Sequence, residues 1–397
     1  MQHPRCLTYA LLSLILASAS AFAQRTWIVD LGGNGDFKTV TDAVAAVAAG
    51  DRILVGPGTY AELPTITKSL SLLGDQSTIN GFVVRGIARD GRVLLSGFHI
   101  PAAQRIILED NSGHIALTGC RSSSTLFDLI RNPAVEVRRS VHVTMHDCAF
   151  SGTGVIIDSS DVAIAQSLLS GVYGAWSGLG AVSAGPGIRA ISSRVVLSFV
   201  DVIGGSAQGF KVEQPSCAID CRTSIVTVAA PSSLIAGKTS SLRPELFFAP
   251  AVQGDSVTKL HVDTLVRVEA SNSQAPLFSG VQVNWLTTAA LKGVVTRDVN
   301  RDFLVDTELH ARPNWMSALL IGLPGARTPI DPIGDLWIDP AQPFLVLDIG
   351  ATGQDSRRAV RVRLPSSLPD GTLVAFQSLV FDQVNLRMST PLVVVLH

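Results

Sequence analysis

Residues 92–98 read RVLLSGF, and four later stretches align with them: 114–120 HIALTGC, 142–148 HVTMHDC, 161–167 DVAIAQS and 194–200 RVVLSFV. The second and fourth residues of each stretch are apolar, so they point to one side of a strand while their neighbours point to the other. The stretches start 22, 28, 19 and 33 residues apart. Strands that recur every ~20–30 residues indicate a solenoid in which each repeat is one coil.

The repeat predicts which side chains become neighbours. Adjacent parallel strands lie about 4.8 Å apart, so residues at the same place in successive stretches should stack. The apolar pairs should fill the inside of the tube: Val93/Leu95, Ile115/Leu117, Val143/Met145, Val162/Ile164 and Val195/Leu197.

A short helix is predicted ahead of the first strand. Thr39 and Asp42 form a capping-box pattern, and the apolar residues from Val40 to Ala48 follow helical spacing, with Gly50 expected to end the helix. A solenoid has an open apolar end that must be covered. We therefore expect this helix to cap the first coil.

The same region resembles a known family. The segments that carry the likeness are GDFKTV at 35–40, GDRI at 50–53, PGTY at 57–60 and KSLSLLG at 68–74. They are similar to the opening of pectin methylesterases and related pectin-lyase-like β-helix proteins. The resemblance is specific over residues 28–75, and only fold-level similarity continues to about residue 235.

This resemblance implies a fold but no catalytic set. Pectin methylesterases use two aspartates, an arginine and glutamines, carried by motifs that have no counterpart in this chain. The catalytic motifs of polygalacturonases and pectate lyases are missing as well. The likeness therefore implies an all-β, right-handed parallel β-helix over residues 24–238, and no catalytic residue is carried over.

The coil repeat is lost after residue 238. Residues 239–397 contain short strand-like runs broken by Gly, Pro and Asp, which is typical of an antiparallel β-sandwich. This part is similar to C-terminal β-modules of bacterial secreted proteins. An extended linker over residues 239–255 is expected to precede it.

The N-terminus and the charge indicate an exported protein. Residues 1–23 form a signal-peptide pattern, with cleavage expected before Gln24, and no later stretch is apolar for long enough to span a membrane. Formal net charge is −1 without a basic run, which excludes a nucleic-acid partner. We expect a secreted or envelope-associated protein whose oligomeric state the sequence leaves open.

Four cysteines remain after the predicted cleavage. Cys120 and Cys148 occupy the same place in adjacent stretches, and Cys217 lies close to Cys221. An oxidising compartment permits disulfides, so we predict the pairs 120–148 and 217–221. A reduced, stacked pair at 120 and 148 is the alternative, because in-register neighbours have poorly directed Cβ vectors.

One column of side chains is a candidate catalytic or binding site. Arg92, His114, His142, Asp161 and Arg194 each stand directly before an inward pair, so they should adjoin one another on the outer wall. A histidine beside an aspartate is a candidate general base, and the flanking arginines are candidate ligands for a sugar carboxylate. The alternative is that residues at strand starts are polar because they are solvated.

Two further candidates lie elsewhere. Tyr173 and Trp176, in the glycine-rich stretch 170–188, are candidates for stacking on sugar rings, or else they cover a coil edge. Asp298, Asn300, Asp302 and Asp306 resemble the start of a calcium loop, although Phe303 replaces the required glycine. We expect no cofactor, with calcium at this loop as the one alternative.

The leading hypothesis is a protein that binds a polysaccharide, of pectin-like or other acidic type, along one side of the solenoid without efficient catalysis. A solenoid side is a long surface suited to an extended polymer. A divergent carbohydrate-active enzyme that uses the His114, His142 and Asp161 column is the second hypothesis. A structural surface or adhesion module is the third.

Overall fold

The computed structural model describes residues 24–101, 104–123, 132–152, 154–177, 180–208, 214–239, 248–331, 333–382 and 384–396. The predicted signal peptide, residues 1–23, lies outside these ranges. The chain forms two compact units: one comprises Trp27–Ala49 and Ile53–Thr288, and the other comprises the chain from Ala289 onwards together with Gly50–Arg52 and the described residues up to Thr26. No helix in the described ranges combines the length and the apolarity that a membrane crossing requires.

The first unit is a parallel β-helix with three faces, and its strands are numbered in chain order. The first face consists of β1 (Thr26–Val29), β2 (Arg52–Val55), the first halves of β5 (Leu70–Ile79) and β7 (Arg92–Ile100), β9 (His114–Thr118), β12 (Val143–His146), β15 (Asp161–Ala165), β20 (Arg194–Ser198), β24 (Ile225–Ala229), β27 (Lys259–Asp263) and β30 (Gln282–Leu286).

The other two faces complete each coil. The second face consists of β3 (Gly58–Tyr60), the second halves of β5 and β7, β10 (Arg121–Ser123), β13 (Ala149–Ser151), β16 (Leu168–Ser170), β21 (Asp201–Ile203), β25 (Ser233–Ile235) and β28 (Arg267–Glu269). The third face consists of β4 (Thr65–Ile66), β6 (Gly81–Arg85), β8 (Arg105–Glu109), β11 (Val135–Arg138), β14 (Val155–Asp158), β19 (Ile188–Ile191), β23 (Ile219–Arg222), β26 (Val252–Gly254) and β29 (Phe278–Ser279).

The predicted stacking of apolar side chains is confirmed. Val93 pairs with Ile115, Ile115 with Val143, and Val143 with Val162, and all four have no exposed surface. They belong to one core that runs through the coils. Each inward residue therefore packs against the equivalent residues of the coils before and after it.

The first coil is capped by the predicted helix, α1 (Val40–Ala46). Thr39 caps its N-terminus, because the Thr39 Oγ1 accepts a 3.1 Å hydrogen bond from the Asp42 backbone N–H. Val40, Ala43 and Val44 are buried in the β-helix core. The helix ends before Gly50, contrary to the prediction, because the backbone is already extended at Val47.

The β-helix extends well beyond the predicted boundary at residue 238. Strands β26 to β30 continue the parallel pairing, so the proposed linker at 239–255 is wrong over the part that forms β26. A long insertion separates β25 from β26 and interrupts the repeat in the sequence. Part of that insertion, residues 240–247, lies outside the described ranges.

The second unit, from Ala289 onwards, has the predicted antiparallel sandwich architecture. One sheet has the order β31 (Ala290–Arg297), β32 (Phe303–His310), β37 (Arg357–Leu364). The other contains β36 (Leu345–Ala351), β33 (Met316–Gly322), β38 (Thr372–Phe381), β39 (Leu386–Met388) and β40 (Leu392–Leu396). A hairpin joins β34 (Pro324–Ile330) to β35 (Gly334–Ile338), and both main sheets contribute to one apolar core.

A ladder of hydroxyl groups supports the corner between the third and first faces. At each corner one residue adopts a left-handed backbone conformation, for example Ser159 with φ 50° and Ser192 with φ 48°. The serine that follows is buried and bonds the neighbouring coil: Ser140 N–H donates to Ser160 Oγ at 3.0 Å, and Ser160 N–H donates to Ser193 Oγ at 3.2 Å. Backbone groups that would be unsatisfied at the turns are thereby paired.

The predicted disulfides are wrong, because all four cysteines are free and buried. Cys120 and Cys148 occupy the corner between the first and second faces, where Ser167 holds the equivalent place in the next coil. Their thiols donate to backbone oxygens of the preceding coil, Cys120 Sγ to Leu95 O at 3.5 Å and Cys148 Sγ to Leu117 O at 3.6 Å. Both thiols therefore point along the stack and serve as ladder groups.

The second predicted pair is also reduced. Cys221 Sγ donates to the Gln253 carbonyl of the next coil at 3.5 Å. Burial raises the pKa of Cys217 to about 11 and that of Cys221 to about 12. Thiols of this kind are poor nucleophiles, because only the thiolate reacts.

We predict that Ser193→Ala lowers the free energy of unfolding by about 1–3 kcal/mol, because it leaves the buried Ser160 N–H without its acceptor. Urea denaturation measures the change. The matched control is Ser159→Ala at an exposed corner position, which should cost less than about 0.5 kcal/mol. Equal losses in the two variants would contradict a structural role for the ladder.

We predict that the purified protein, unfolded in denaturant without reductant, takes up one alkyl group at each of Cys120, Cys148, Cys217 and Cys221, because none is in a disulfide. In native buffer the same reagent should label them slowly, since each thiol is buried. Intact-protein mass spectrometry reads both results. Rapid native labelling, or unlabelled cysteines after unfolding, would contradict the assignment.

Candidate functional site

The five residues of the predicted column are neighbours in space. Arg92 is paired in register with His114, and Asp161 with Arg194. His142 lies between these two pairs. Val143, the residue after His142, is aligned with Ile115, the residue after His114, and with Val162, the residue after Asp161. The predicted order of the column is therefore confirmed, while its chemical role stays a prediction.

The expectation that the whole column is solvated is wrong at its two histidines. His114 is only 4% exposed and His142 is 9% exposed, whereas Arg92, Asp161 and Arg194 are half-buried. The outward residues beside them, including Leu94, Ala116 and Thr144, are buried as well. The first face therefore has a buried outer side over these coils.

Burial governs the protonation of His114. Loss of solvation, aided by the positive charge of Arg92 and by His142, lowers the pKa of His114 from 6.5 to about 3. Its Nε2 lies 3.0 Å from the Thr144 Oγ1, and its Nδ1 has no hydrogen-bond partner among the described residues. His114 is therefore a neutral imidazole held by a hydroxyl group and not by a carboxylate, which makes it a weak base.

The stretch 170–188 does project from the coil, as predicted. Tyr173 is half-buried and directly precedes β17 (Gly174–Ser177), which forms an antiparallel hairpin with β18 (Gly180–Val182). β17 also pairs with β22 (Ala207–Gln208) from the insertion of the next coil. Trp176 belongs to β17, and its side chain lies outside the described part of the structure.

Close backbone contact explains why these insertions are rich in glycine. A Cβ at Gly205 would lie 1.8 Å from the Val172 carbonyl oxygen, and a Cβ at Gly237 would lie 1.9 Å from the Gly205 oxygen. Backbone hydrogen bonds from Gly205 N–H to Gly185 O and from Gly174 N–H to Ser206 O join successive insertions. The insertions thus stack as a wall that continues the coil repeat outward.

Sequence reasoning missed a row of outward residues on the second face. The row is in continuous register through eight strands: Thr78, His99, Arg121, Ala149, Leu168, Asp201, Ser233 and Arg267. His99, Arg121, Leu168, Asp201 and Arg267 are exposed, Thr78 and Ala149 are half-buried, and Ser233 is buried. A constant offset could have revealed much of it, because five of these residues follow an aligned strand-start residue by seven positions.

The carboxylates of the predicted calcium loop are engaged by backbone N–H groups of the turn between β31 and β32 and by arginines of β37. Asp298 Oδ1 accepts hydrogen bonds from the Asn300 and Asp302 backbone N–H groups at 2.8 and 3.0 Å. Arg363 pairs with both Asp298 and Asp302, and Arg361 pairs with Asp306. Among the described residues, no group of three or more His, Cys, Asp or Glu side chains lies close enough to hold a metal ion.

We predict that His114 makes the protein less stable as the pH falls from 6.5 towards 3. The unfolded chain binds a proton at this imidazole below its ordinary pKa of 6.5, whereas the folded chain does so only near 3. One such proton lowers the free energy of unfolding by up to about 1.4 kcal/mol per pH unit. Urea denaturation across this range should therefore show a shallower pH dependence for His114→Gln.

The control for this experiment is His99→Gln on the exposed second face, which should keep the wild-type pH dependence. If His114→Gln and the wild type lose stability in parallel between pH 6.5 and 3, the buried neutral imidazole is contradicted.

Comparison with known proteins finds similarity only at the level of structure. No protein family and no curated protein matches the sequence. Among solved structures, pectate lyase Pel9A matches 69% of this chain over 82% of its own length, at 12% identity and a TM-score of 0.36. The pectin methylesterase from Aspergillus niger matches 67% of this chain over 87% of its own, at 13% identity and a TM-score of 0.23.

A phage protein is also similar. The tailspike protein gp49 from Acinetobacter baumannii bacteriophage Fri1, a capsular polysaccharide depolymerase, matches 96% of this chain over 87% of its own at 8% identity and a TM-score of 0.24. Similarity this low assigns neither an activity nor a substrate to this chain. The predicted fold is instead confirmed by the chain's own strand register: it is a parallel β-helix followed by antiparallel sheets.

Proposed function

We propose that this protein is an exported glycan-binding β-helix that holds an extended polysaccharide along its second face. The observation that carries the proposal is the second-face row from Thr78 to Arg267, which presents one outward side chain per coil and exposes five of its eight members. The coils repeat about every 4.8 Å, close to the length of one sugar unit in an extended chain. Successive sugars would therefore meet equivalent positions of successive coils.

The residues of the row have the chemistry that a neutral or acidic sugar requires. His99 and Arg121 supply hydrogen-bond donors, and Asp201 supplies acceptors. Arg121 pairs with Asp147 at 3.4 Å, but both side chains are more than half exposed. An ion pair of this kind contributes little to stability, so Arg121 can exchange it for a ligand at little cost.

The insertion wall supports the same placement. The hairpin that follows Tyr173 begins at Gly174, a short connection after β16, the strand of the second face that carries Leu168. A half-buried tyrosine offers both a flat ring face and a hydroxyl group to a sugar. We keep Tyr173, and with it Trp176, as predicted stacking residues at the side of the row.

The proposal assigns binding and no chemical step. A general base needs a pKa near the working pH, and the low pKa of His114 does not meet this requirement. Arg92 and Arg194 remain predicted ligands of a carboxylate sugar on the first face, separate from the second-face row.

We predict that Arg121→Gln weakens binding to a responsive polysaccharide about tenfold, because it removes charge-assisted hydrogen bonds worth about 1.4 kcal/mol. Affinity electrophoresis in gels containing pectins, alginate or neutral glucans identifies a responsive polymer, and calorimetry then measures the affinity. The matched control is Arg139→Gln on the other side of the coil, since both arginine side chains are 55% exposed.

Three outcomes would contradict the proposal. Binding to none of the polymers would remove its basis, and an equal loss in both variants would place the ligand elsewhere. Release of methanol, reducing ends or unsaturated products in the same mixtures, abolished by Asp161→Ala, would instead assign catalysis to the first-face column.

A further inference from the structure

The last coil of the β-helix differs from every coil before it. From Arg267 to Thr288 the chain contains no buried residue. In the preceding strand of the first face, by contrast, Leu260 and Val262 are fully buried. The apolar interior is therefore closed up to β27 and open beyond it.

The open end exposes side chains that occupy core positions. Val283 and Trp285 are in register with Leu260 and Val262, so they continue the inward columns of the first face. Trp285 is nevertheless 53% exposed, although its ring lies 5.9 Å from that of Phe278 in an edge-to-face arrangement. Leu265, in the loop between β27 and β28, is 64% exposed, so the last coils present more than one exposed apolar side chain.

The same end presents backbone edges. Strands β28, β29 and β30 each pair with the coil before them, through β25, β26 and β27. No further strand pairs with any of the three among the residues that the structure describes. An apolar end with unpaired strand edges is a template for association with another chain.

The opposite end of the same β-helix is closed. Helix α1 covers the first coil, and Glu62 accepts hydrogen bonds from the Val40 and Thr41 backbone N–H groups at its N-terminus, at 3.2 and 2.8 Å. Lys68 donates to the Ala45 carbonyl at its C-terminus at 3.3 Å. A head-to-tail stack of copies would have to displace this helix, so it is disfavoured.

We infer that the open end binds the open end of a second copy of this chain, in a twofold, tail-to-tail dimer. A twofold contact is closed, which prevents fibre growth, and it requires a surface that complements itself. Strand β28 meets this requirement because Arg267 and Glu269, which form an exposed ion pair with each other within one chain, flank Val268. In antiparallel pairing centred on Val268, each Arg267 faces Glu269 of the other copy, and the exposed apolar residues are covered together.

The test measures the mass of the purified full-length protein by light scattering during gel filtration. The wild type is expected at twice the chain mass, and Trp285→Glu at the chain mass, because a charge at the open end must lose hydration in the dimer. The matched control is Val294→Glu in the C-terminal unit, since Val294 is 57% exposed, and it should remain dimeric. Thermal melting confirms that each variant is folded.

Geometry is tested by a second variant. Val268→Cys is expected to form an intermolecular disulfide under mild oxidation, because residues opposite each other in an antiparallel pair lie within bonding range. Leu265→Cys, which lies outside β28, should cross-link more slowly. A monomeric wild type, a dimer that persists in Trp285→Glu, or faster cross-linking at 265 than at 268 would each overturn the inference.

Discussion

Parallel hydrogen bonding between successive coils is the constraint on which the β-helix depends. It holds each coil in register with the next, so that Val93, Ile115, Val143 and Val162 stack without exposed surface. The same register brings residues about 20 to 30 positions apart in sequence into direct contact. Core, corners and surface rows are all consequences of this one repeat.

The corners show how the repeat tolerates different side chains. At several turns a left-handed residue is followed by a small polar residue that bonds the adjacent coil, and serine or cysteine fills this place. The cysteines therefore belong with the serine ladders and not with a disulfide framework. A disulfide needs two Cβ atoms directed towards each other, whereas these thiols point along the stack.

Register explains why the two outer faces differ in what they can do. The first-face column is ordered as the sequence indicates, but burial keeps His114 neutral and bonded to Thr144. The second-face row uses the same repeat and remains largely exposed, so its side chains are available to a ligand. Charge and residue type are readable from sequence, whereas the solvation that sets their chemistry is not.

The sequence by itself determined the solenoid, its inward pairs, the capping helix and the antiparallel C-terminal unit, because period-two patterns and caps are local properties. Only the tertiary structure decided where the solenoid ends, because the insertion before Val252 hides the repeat and the last coil lacks a buried core. Only the tertiary structure also shows that the thiols are free, that the two histidines of the first face are buried and that the second-face row is largely exposed. These depend on direction and burial, which arise when residues far apart in sequence are packed together.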